Sequence, residues 1–292
     1  MRHAFLIIAH NNPEILKAQI EILGSPNVDF YYHIDKKLKI DKHIIKKWTN
    51  GHAFFISSKH IRWGHFSQVD CELRLIEAAI NSGREYDYFH LLSGVDMPIK
   101  RFDEIDEFFE LHQGKEFIHF DNPVAEELVR ERISYYHILP GRKNCERKIN
   151  GGFIKLQKLL KIDRLRKTGW EVQKGANWFS ISRDLAKAIV ADKKNIRQHF
   201  KLSFCGDEVF LQTFVHNSKY RNSLYQLEYN NDYKMCMRYI DWDRGNPYIF
   251  RSADMVDLLE SEFLFARKFD CDIDASVICD LVKELRYEKE AV

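Results

Sequence analysis

Short apolar runs that end in polar turns alternate with helical periodicities through the first third of the chain. The first run, residues 5–9, is apolar throughout, as expected of a parallel strand that is buried on both faces, and it leads directly into His10. Comparable runs follow at 29–34, 53–56 and 88–92. This alternation predicts an α/β fold with a mixed, mostly parallel central sheet and flanking helices.

The segment between the first two strands has the signals of a helix. Asn12 is suited to cap its N-terminus, Pro13 suits its first turn, and Gly24 is expected to end it in the left-handed conformation. Another helix is predicted where apolar residues recur at helical spacing between 69 and 80. A strand followed by a helix is the repeating unit of a parallel sheet.

Composition narrows the function classes. Lys and Arg number 45 against 43 Asp and Glu, a net charge of +2, which is too balanced for a protein that binds nucleic acid through its backbone charge. The six cysteines form no metal-ligating cluster, and no apolar run reaches the about 20 residues of a membrane span. We therefore expect a cytoplasmic protein without a metal cofactor or a nucleic-acid partner.

Polar residues follow the strands where a ligand is expected. In open α/β sheets, ligands bind beyond the carboxyl ends of the strands. Here those ends lead to His10, to Asp35 and to the turn 93–96, which contains Gly94 and Asp96. These turns are the first candidates for a binding site, and the less periodic stretch 122–168 is expected to pass over them.

Glu208 is the candidate catalytic group. It follows Gly206 and Asp207, and the apolar residues after it predict a helix that begins near Asp207. A carboxylate held at the start of a helix can act as a general base that takes a proton from a hydroxyl group. Two acids in this position also simply suit a helix N-terminus, so the pattern alone leaves both interpretations open.

Two adjacent cations form a candidate anion site. Arg267 and Lys268 lie between hydrophobic residues that would fix them by packing, although they would equally suit the end of a short helix. Fixed positive charge can stabilise a departing diphosphate without a metal. In an alternative interpretation, Asp241 and Asp243 have the Asp-x-Asp spacing that holds a divalent ion against a nucleotide diphosphate in many sugar-transferring enzymes.

Seven segments along the chain together resemble the core-2/I-branching β-1,6-N-acetylglucosaminyltransferase family, which also includes the peptide O-xylosyltransferases. The segments, in the same order as in the family, are 7–10, 33–37, 63–70, 91–100, 175–182, 207–208 and 264–270. Each segment is short, but their common order is specific. Because the chain lacks the anchor, stem and paired cysteines of the animal enzymes, we expect a bacterial-type member.

The resemblance implies a GT-A-like fold in a single domain, 1–292. Its nucleotide-binding half would span about 1–121, and its acceptor-binding and C-terminal diphosphate-binding half about 122–292. The resemblance also implies inverting, metal-independent transfer of a sugar, N-acetylglucosamine or xylose, from a UDP-sugar to a hydroxyl group of a glycan. Glu208 matches the catalytic base of the family.

The resemblance also implies that Lys268 takes the place of a metal ion at the diphosphate and that His10, Asp35 and Trp63 surround the uridine. Together with the residues of the irregular region near the acceptor, this gives the following expectations. The residues expected to bind the nucleotide sugar are His10, Asp35, Trp63, Gly94, Asp96, Arg251, Arg267 and Lys268. Arg244 is an alternative to Arg251 at the diphosphate. Those expected to bind the acceptor are Trp178, Asp121 and Arg130, with Glu126 also within reach.

The acceptor is expected to be a glycan or a lipid-linked oligosaccharide. In the second case the chain would contact the inner membrane peripherally through basic residues, namely Arg130, Arg132, Lys143, Arg147 and Lys148. Two alternatives stay open at this point: a non-catalytic protein of the same fold that binds UDP or carbohydrate, and a metal-dependent enzyme of the same fold that uses Asp241 and Asp243.

Overall fold

The computed structural model describes residues 1–122, 126–139, 141 and 143–286, while the side chain of Glu126 lies outside the described part. The strands within these residues are β1 His3–Ala9, β2 Val28–Ile34, β3 Ala53–Phe55, β4 Tyr88–Ser93, β5 Asp96–Pro98, β6 Phe117–Ile118, β7 Phe179–Ser182, β8 Arg238–Ile240 and β9 Phe265–Arg267. The α-helices are α1 Pro13–Leu23, α2 Lys42–Trp48, α3 Ser67–Ile80, α4 Phe102–Leu111, α5 Glu126–Ser134, α6 Asn144–Leu159, α7 Arg183–Ala191, α8 Lys193–Phe200, α9 Phe210–His216, α10 Met255–Glu260 and α11 Ser276–Leu285.

The central sheet is mixed and mostly parallel, as the sequence predicts. Its strand order is β3-β2-β1-β4-β7-β6, and the first four strands run parallel while β7 runs antiparallel to both of its neighbours. Strand β1 lies inside the sheet, and its apolar side chains alternate between the two faces. Leu6 packs in the cluster formed by α3 and α7, whereas Phe5 and Ile7 pack in the cluster that contains residues of α1 and α4. A continuous apolar run is therefore what this position requires.

A smaller sheet lies beyond the carboxyl end of β4 and positions charged residues. Its order is β5-β9-β8, with β5 antiparallel and β8 parallel to β9. The register pairs Asp96 at the start of β5 with Arg267 at the end of β9. Of the two cations in the 263–270 stretch, Arg267 ends strand β9 and Lys268 follows it. The alternative that they end a short helix is therefore wrong.

The termini of α1 differ from the sequence prediction. Asn12 is itself in the left-handed conformation, with φ 51°, and its side chain makes no capping hydrogen bond. The Asn12 amide instead donates to Oδ1 of Asp270 at 3.3 Å. Gly24 has φ −64° and is extended, so the prediction of a left-handed end was wrong. Glycine is required there for space, because a Cβ would lie 2.6 Å from the carbonyl oxygen of Ile20.

The stretch 122–168 contains helices α5 and α6, although its sequence periodicity is weak. Gly151 and Gly152, which look like chain breaks in the sequence, lie inside α6. Within the described residues of this helix only Gln157 is buried, so the apolar side chains of α6 do not mark a core-facing stripe. None of the described helices combines the length and the apolar character that crossing a bilayer requires.

Candidate active site

A cleft of about 800 Å³ opens at the carboxyl ends of β1, β2 and β4. The edge of the sheet supplies Ala9, His33 and Ser93 to its wall. Seven of the residues predicted from the sequence to bind or react also line it: His10, Asp35, Trp63, Asp121, Trp178, Glu208 and Arg267. The fold therefore brings together residues that are up to 257 positions apart, as expected for a ligand site at this edge of an α/β sheet.

One wall of the cleft holds a fixed cation. The Arg267 guanidinium lies over the Trp178 ring, 3.9 Å from its centroid, and its Nε is 3.6 Å from Oδ1 of Asp96. Asp96 is buried and is itself held by the backbone amide of Ser93 at 2.6 Å. Burial lowers the pKa of Arg267, and the charge of Asp96 opposes that shift. Because the cation is stacked and paired before any ligand arrives, it can meet an anion with little reorganisation.

His10 lies close enough to Arg267 for that positive charge to affect its pKa. Desolvation lowers the pKa of His10, and the charges of Arg267 and Lys268 lower it further, while Asp35 and Asp96 act in the opposite direction. Lys268 does not line the cleft, but this interaction places its ammonium group within electrostatic reach of His10. The imidazole is thus disposed to remain neutral at physiological pH, with ring nitrogens available for hydrogen bonds.

Glu208 also lines the cleft, in an arrangement that the sequence did not predict. Glu208 ends a 3₁₀ helix, Gly206–Glu208, and the α-helix begins only at Phe210. The prediction that Glu208 lies in the first turn of the helix that contains Phe210 was therefore wrong. Oε2 of Glu208 accepts a hydrogen bond from Nη1 of Arg132 at 2.7 Å and lies 4.0 Å from Nζ of Lys174. Its Oε1 has no hydrogen-bond partner among the described residues, and the side chain is 37% exposed. One carboxylate oxygen is therefore fixed and the other is available to a ligand.

Gly175 joins the backbone of Glu208 to the segment that carries Trp178. The Gly175 amide donates to the carbonyl oxygen of Glu208 at 2.9 Å, and Trp178 follows three residues later. A Cβ at position 175 would lie 1.9 Å from the carbonyl oxygen of His119, so only glycine fits. Gln212 stabilises this close packing of Gly175 against His119 by donating to the carbonyl oxygens of His119 and Ala176, at 3.1 and 2.8 Å.

Two further acids line the cleft beside Glu208. Glu72, on α3, is fully buried, and neither of its carboxyl oxygens is hydrogen-bonded to a described residue. Burial raises its pKa well above the usual value, and the charge of Asp207 raises it further. Asp207 accepts a hydrogen bond from Gln68 at 2.9 Å, and burial together with the charge of Glu208 raises its pKa to about 7. Glu72 therefore keeps its proton to a higher pH than an exposed glutamate does.

The raised pKa of Asp207 makes a pH-dependent contribution to stability. Between about pH 4 and 7 the folded protein retains a proton that the unfolded chain has lost, so the unfolding free energy falls as pH rises through this window. We expect Asp207→Asn to remove that loss. Relative to the parent, its unfolding free energy should rise by roughly 2–4 kcal/mol between pH 5 and pH 8, measured by urea denaturation.

Asp274 provides a control of the opposite sign. Hydrogen bonds from Ser276 and Ser252 lower the pKa of Asp274, so its stabilising effect is present throughout the range from pH 5 to 8 and is lost only in acid. Asp274→Asn should destabilise the protein by the same amount at both pH values. A difference between Asp207→Asn and the parent that does not change with pH would show that Asp207 titrates normally.

Several predicted site residues do not line the cleft. Gly94 packs against the end of β1, where a Cβ would lie 3.3 Å from the Cα atom of Ala9. Arg130 pairs with Asp163 at 2.9 Å. The side chain of Arg251 is exposed, and its backbone amide donates to Asp254 at 2.8 Å. Asp96 pairs with Arg267 and does not itself line the cleft. The predictions that Gly94, Asp96, Arg130 and Arg251 bind a ligand are not tested by this geometry.

The first acid of the Asp-x-Asp pair, Asp241, is engaged by neighbouring protein groups. Oδ2 of Asp241 accepts from Nε of Arg244 at 2.5 Å, and its Oδ1 accepts from the backbone amides of Asp243 and Arg244, both at 2.9 Å. Arg244 also pairs with Asp254 at 2.6 Å. Neither aspartate lines the cleft, and the described residues include no group of three or more His, Cys, Asp or Glu placed to hold a metal ion.

Other functional candidates escaped the sequence analysis. Arg132, grouped there with the membrane-facing cations, instead bonds to Glu208, which is 76 residues away in the chain. Lys174 and Tyr233 also line the cleft, and burial raises the pKa of Tyr233 to about 12. The indole of Trp242 donates to the Tyr233 hydroxyl at 2.9 Å. Only the folded chain reveals these contacts, because their partners are distant in sequence and belong to no short motif.

The fold and the cleft define a class. A mixed, mostly parallel sheet whose carboxyl edge opens into a cleft lined by a carboxylate and a packed cation agrees with the predicted GT-A-like fold. The chain belongs to the Core-2/I-Branching enzyme family, whose sequence profile matches residues 3–258.

The proteins to which this chain is similar are named as sugar transferases. A xylosyltransferase of Ciona intestinalis is 20% identical over 297 residues, which cover 95% of this chain and 33% of that protein. The human beta-1,3-galactosyl-O-glycosyl-glycoprotein beta-1,6-N-acetylglucosaminyltransferase is 22% identical over 318 residues, covering 98% and 70%. Mouse xyloside xylosyltransferase 1, in its apo crystal structure, has a TM-score of 0.41 and 11% identity, covering 93% of this chain and 99% of that one. The chain thus spans about a third of the Ciona intestinalis relative, and the bacterial-type origin stays a prediction.

Proposed function

We propose that this protein transfers a sugar from a UDP-sugar to a hydroxyl group of a glycan acceptor, with inversion at the anomeric carbon and without a metal ion. The observation that carries the proposal is that Glu208 and Arg267 line the same cleft. A base and a fixed cation are the two groups that such a transfer needs, one at the attacking oxygen and one at the leaving group.

In this proposal the donor diphosphate binds at the cationic wall. Arg267 neutralises the diphosphate directly, and Lys268 adds positive charge from behind His10. His10, Asp35 and Trp63 line the adjoining part of the cleft and contact the uridine. Arg251 and Arg244 do not line the cleft, which leaves Arg267 as the arginine best placed for the leaving group.

Glu208 acts as the general base. Its free Oε1 accepts the proton of the acceptor hydroxyl, whose oxygen forms a bond to the anomeric carbon. The bond from that carbon to the diphosphate breaks, and UDP departs with the electron pair. Arg132 holds the other oxygen of the carboxylate and so fixes its orientation.

The acceptor site is proposed around Trp178 and Asp121. Arg267 covers one face of the Trp178 ring, so an acceptor sugar must use the other face or the ring edge. Asp121 is held by Lys174, and its remaining oxygen can accept a hydrogen bond from an acceptor hydroxyl. Arg130 does not line the cleft and is paired with Asp163, which makes it the weakest of the three predicted acceptor residues.

Donor turnover with and without metal tests the proposal. The protein is incubated with UDP-N-acetylglucosamine, UDP-xylose or UDP-galactose, and UDP release is measured with EDTA and with added manganese. We expect one donor, N-acetylglucosamine or xylose, to release UDP at a rate that EDTA leaves unchanged. UDP binding without release from any donor would indicate a silent binding protein. Loss of activity in EDTA that manganese restores would indicate a metal-dependent enzyme.

A further inference from the structure

Helix α6 presents an apolar face to solvent. Ile149, Phe153, Leu156 and Leu160 recur at intervals of four, three and four residues, which places them along one side of the helix. The side chains of Ile149, Leu156, Leu159 and Leu160 are 53, 49, 79 and 61% exposed. The side facing the protein carries the buried Gln157, which is bonded to the backbone of Tyr136, together with the half-buried Ile154. An ordinary surface helix would bury its leucines instead of exposing them.

The exposed apolar residues are concentrated around this helix. Fifteen large apolar side chains are exposed among the described residues, and seven of them lie between 128 and 160. An even distribution along the chain would place about two there on average, so the concentration marks an interaction surface.

Positive charge surrounds the apolar face. Residues 143–161 include six Lys or Arg and one Glu. That acid, Glu146, pairs with Arg62 at 3.4 Å. Lys148 and Lys155 lie two turns apart beside the apolar face, and neither forms an ion pair within the described part of the chain. Their ammonium groups are therefore available to external anions.

We propose that α6 lies in the surface of an anionic lipid bilayer, with its apolar face among the acyl chains and its lysines against the lipid phosphates. Both features of the helix match this occupant, because an in-plane amphipathic helix combines apolar burial with attraction to anionic lipid. A second copy of the chain fits less well, since two faces flanked by lysines would repel each other.

The proposed membrane face adjoins the cleft. A mostly apolar cavity of about 460 Å³ lies between α6 and the Trp63 loop, lined by Ile154, Phe204 and Trp63 among others. Trp63 also lines the cleft. A lipid-linked acceptor could thus keep its anchor in the bilayer while its sugar enters the cleft; this last step, unlike the membrane contact itself, rests on the proposed function.

Vesicle flotation tests the membrane contact without an activity readout. The full chain is mixed with vesicles of phosphatidylcholine alone or with 30 mol% phosphatidylglycerol, at low and high salt. We expect it to float only with the anionic vesicles, and less at high salt. Leu156→Glu combined with Leu159→Glu should lower the partition constant by about tenfold or more, because each leucine loses its burial. Leu111→Glu, at a side chain that is 75% exposed elsewhere, is the matched control and should float like the parent.

The charges are tested separately. Lys148→Glu combined with Lys155→Glu should weaken flotation at low salt by about tenfold, whereas Lys194→Glu on α8 should not. Failure of the parent to float, or equal flotation of the α6 variants, would overturn the proposal. A dimer in light scattering that the leucine substitutions dissociate, without vesicle binding, would assign the face to self-association. UDP release by a protein that does not float would leave the proposed transfer standing.

Discussion

The Glu208→Gln variant is expected to turn over its sugar donor about 10²–10⁴-fold more slowly than the parent. Glutamine keeps the shape of the side chain and can still accept a hydrogen bond from Arg132, but it cannot take the proton of an acceptor hydroxyl. The affinity for UDP should change little, because in the proposed mechanism Glu208 meets the acceptor hydroxyl and not the diphosphate. Steady-state rates and UDP titration calorimetry measure the two effects separately.

Glu262→Gln is the matched control for this variant. Glu262 is exposed and pairs with Lys234 at the surface, so removing its charge should leave both rate and affinity unchanged. Near-normal turnover by Glu208→Gln would remove Glu208 from the chemistry. A loss of UDP affinity as large as the loss of rate would instead indicate that this substitution disturbs the whole cleft.

Arg267→Ala should weaken UDP binding about 10–100-fold and slow turnover by about 10²–10³-fold. The guanidinium would contact the diphosphate in the ground state and would meet the additional charge that develops as the leaving group departs. The rate should therefore fall by more than the affinity. UDP titration and donor turnover at saturating substrate provide the two numbers.

Two further variants keep this prediction interpretable. Arg267→Ala leaves Asp96 buried without its cation, so loss of folding is a separate outcome that thermal denaturation detects. Lys268→Ala leaves the Asp96 pair intact and should weaken both UDP binding and turnover in the same direction. Arg251→Ala removes an exposed charge that does not line the cleft. If it weakened UDP binding as much as Arg267→Ala, the role at the diphosphate would have been assigned to the wrong arginine.

The sheet was predictable because each of its parallel strands has a recognisable local sequence pattern, a short apolar run. Strand β1 is surrounded by neighbours on both sides and covered on both faces, so a continuous apolar run was sufficient to identify it. The turns at His10 and Asp35 then followed, since the ends of parallel strands meet at one edge. The end of α1 was not predictable in the same way. Gly24 is there because of the carbonyl oxygen of Ile20, and the torsion angle it adopts is open to any residue.

The site itself was predicted in part. Motif resemblance was sufficient to select Glu208, and the pair of adjacent cations in the 263–270 stretch to select Arg267; both residues line one cleft, whereas Lys268, the cation that the resemblance matched, does not. The residues that orient them were missed, because an ion pair such as Arg132 with Glu208 depends on the path of the chain and leaves no local pattern. Glu72 was missed for another reason. On α3 it looks like one more exposed helix acid, and only its burial distinguishes it.

The stacking of Arg267 on Trp178 joins the two substrate regions physically. The same indole that would face the acceptor also supports the cation that would face the diphosphate. Replacing Trp178 by a smaller residue would therefore leave the Arg267 guanidinium without its stacking partner. A substitution made to study acceptor binding would also weaken binding of the nucleotide. A change at Trp178 therefore alters acceptor selectivity and donor affinity together.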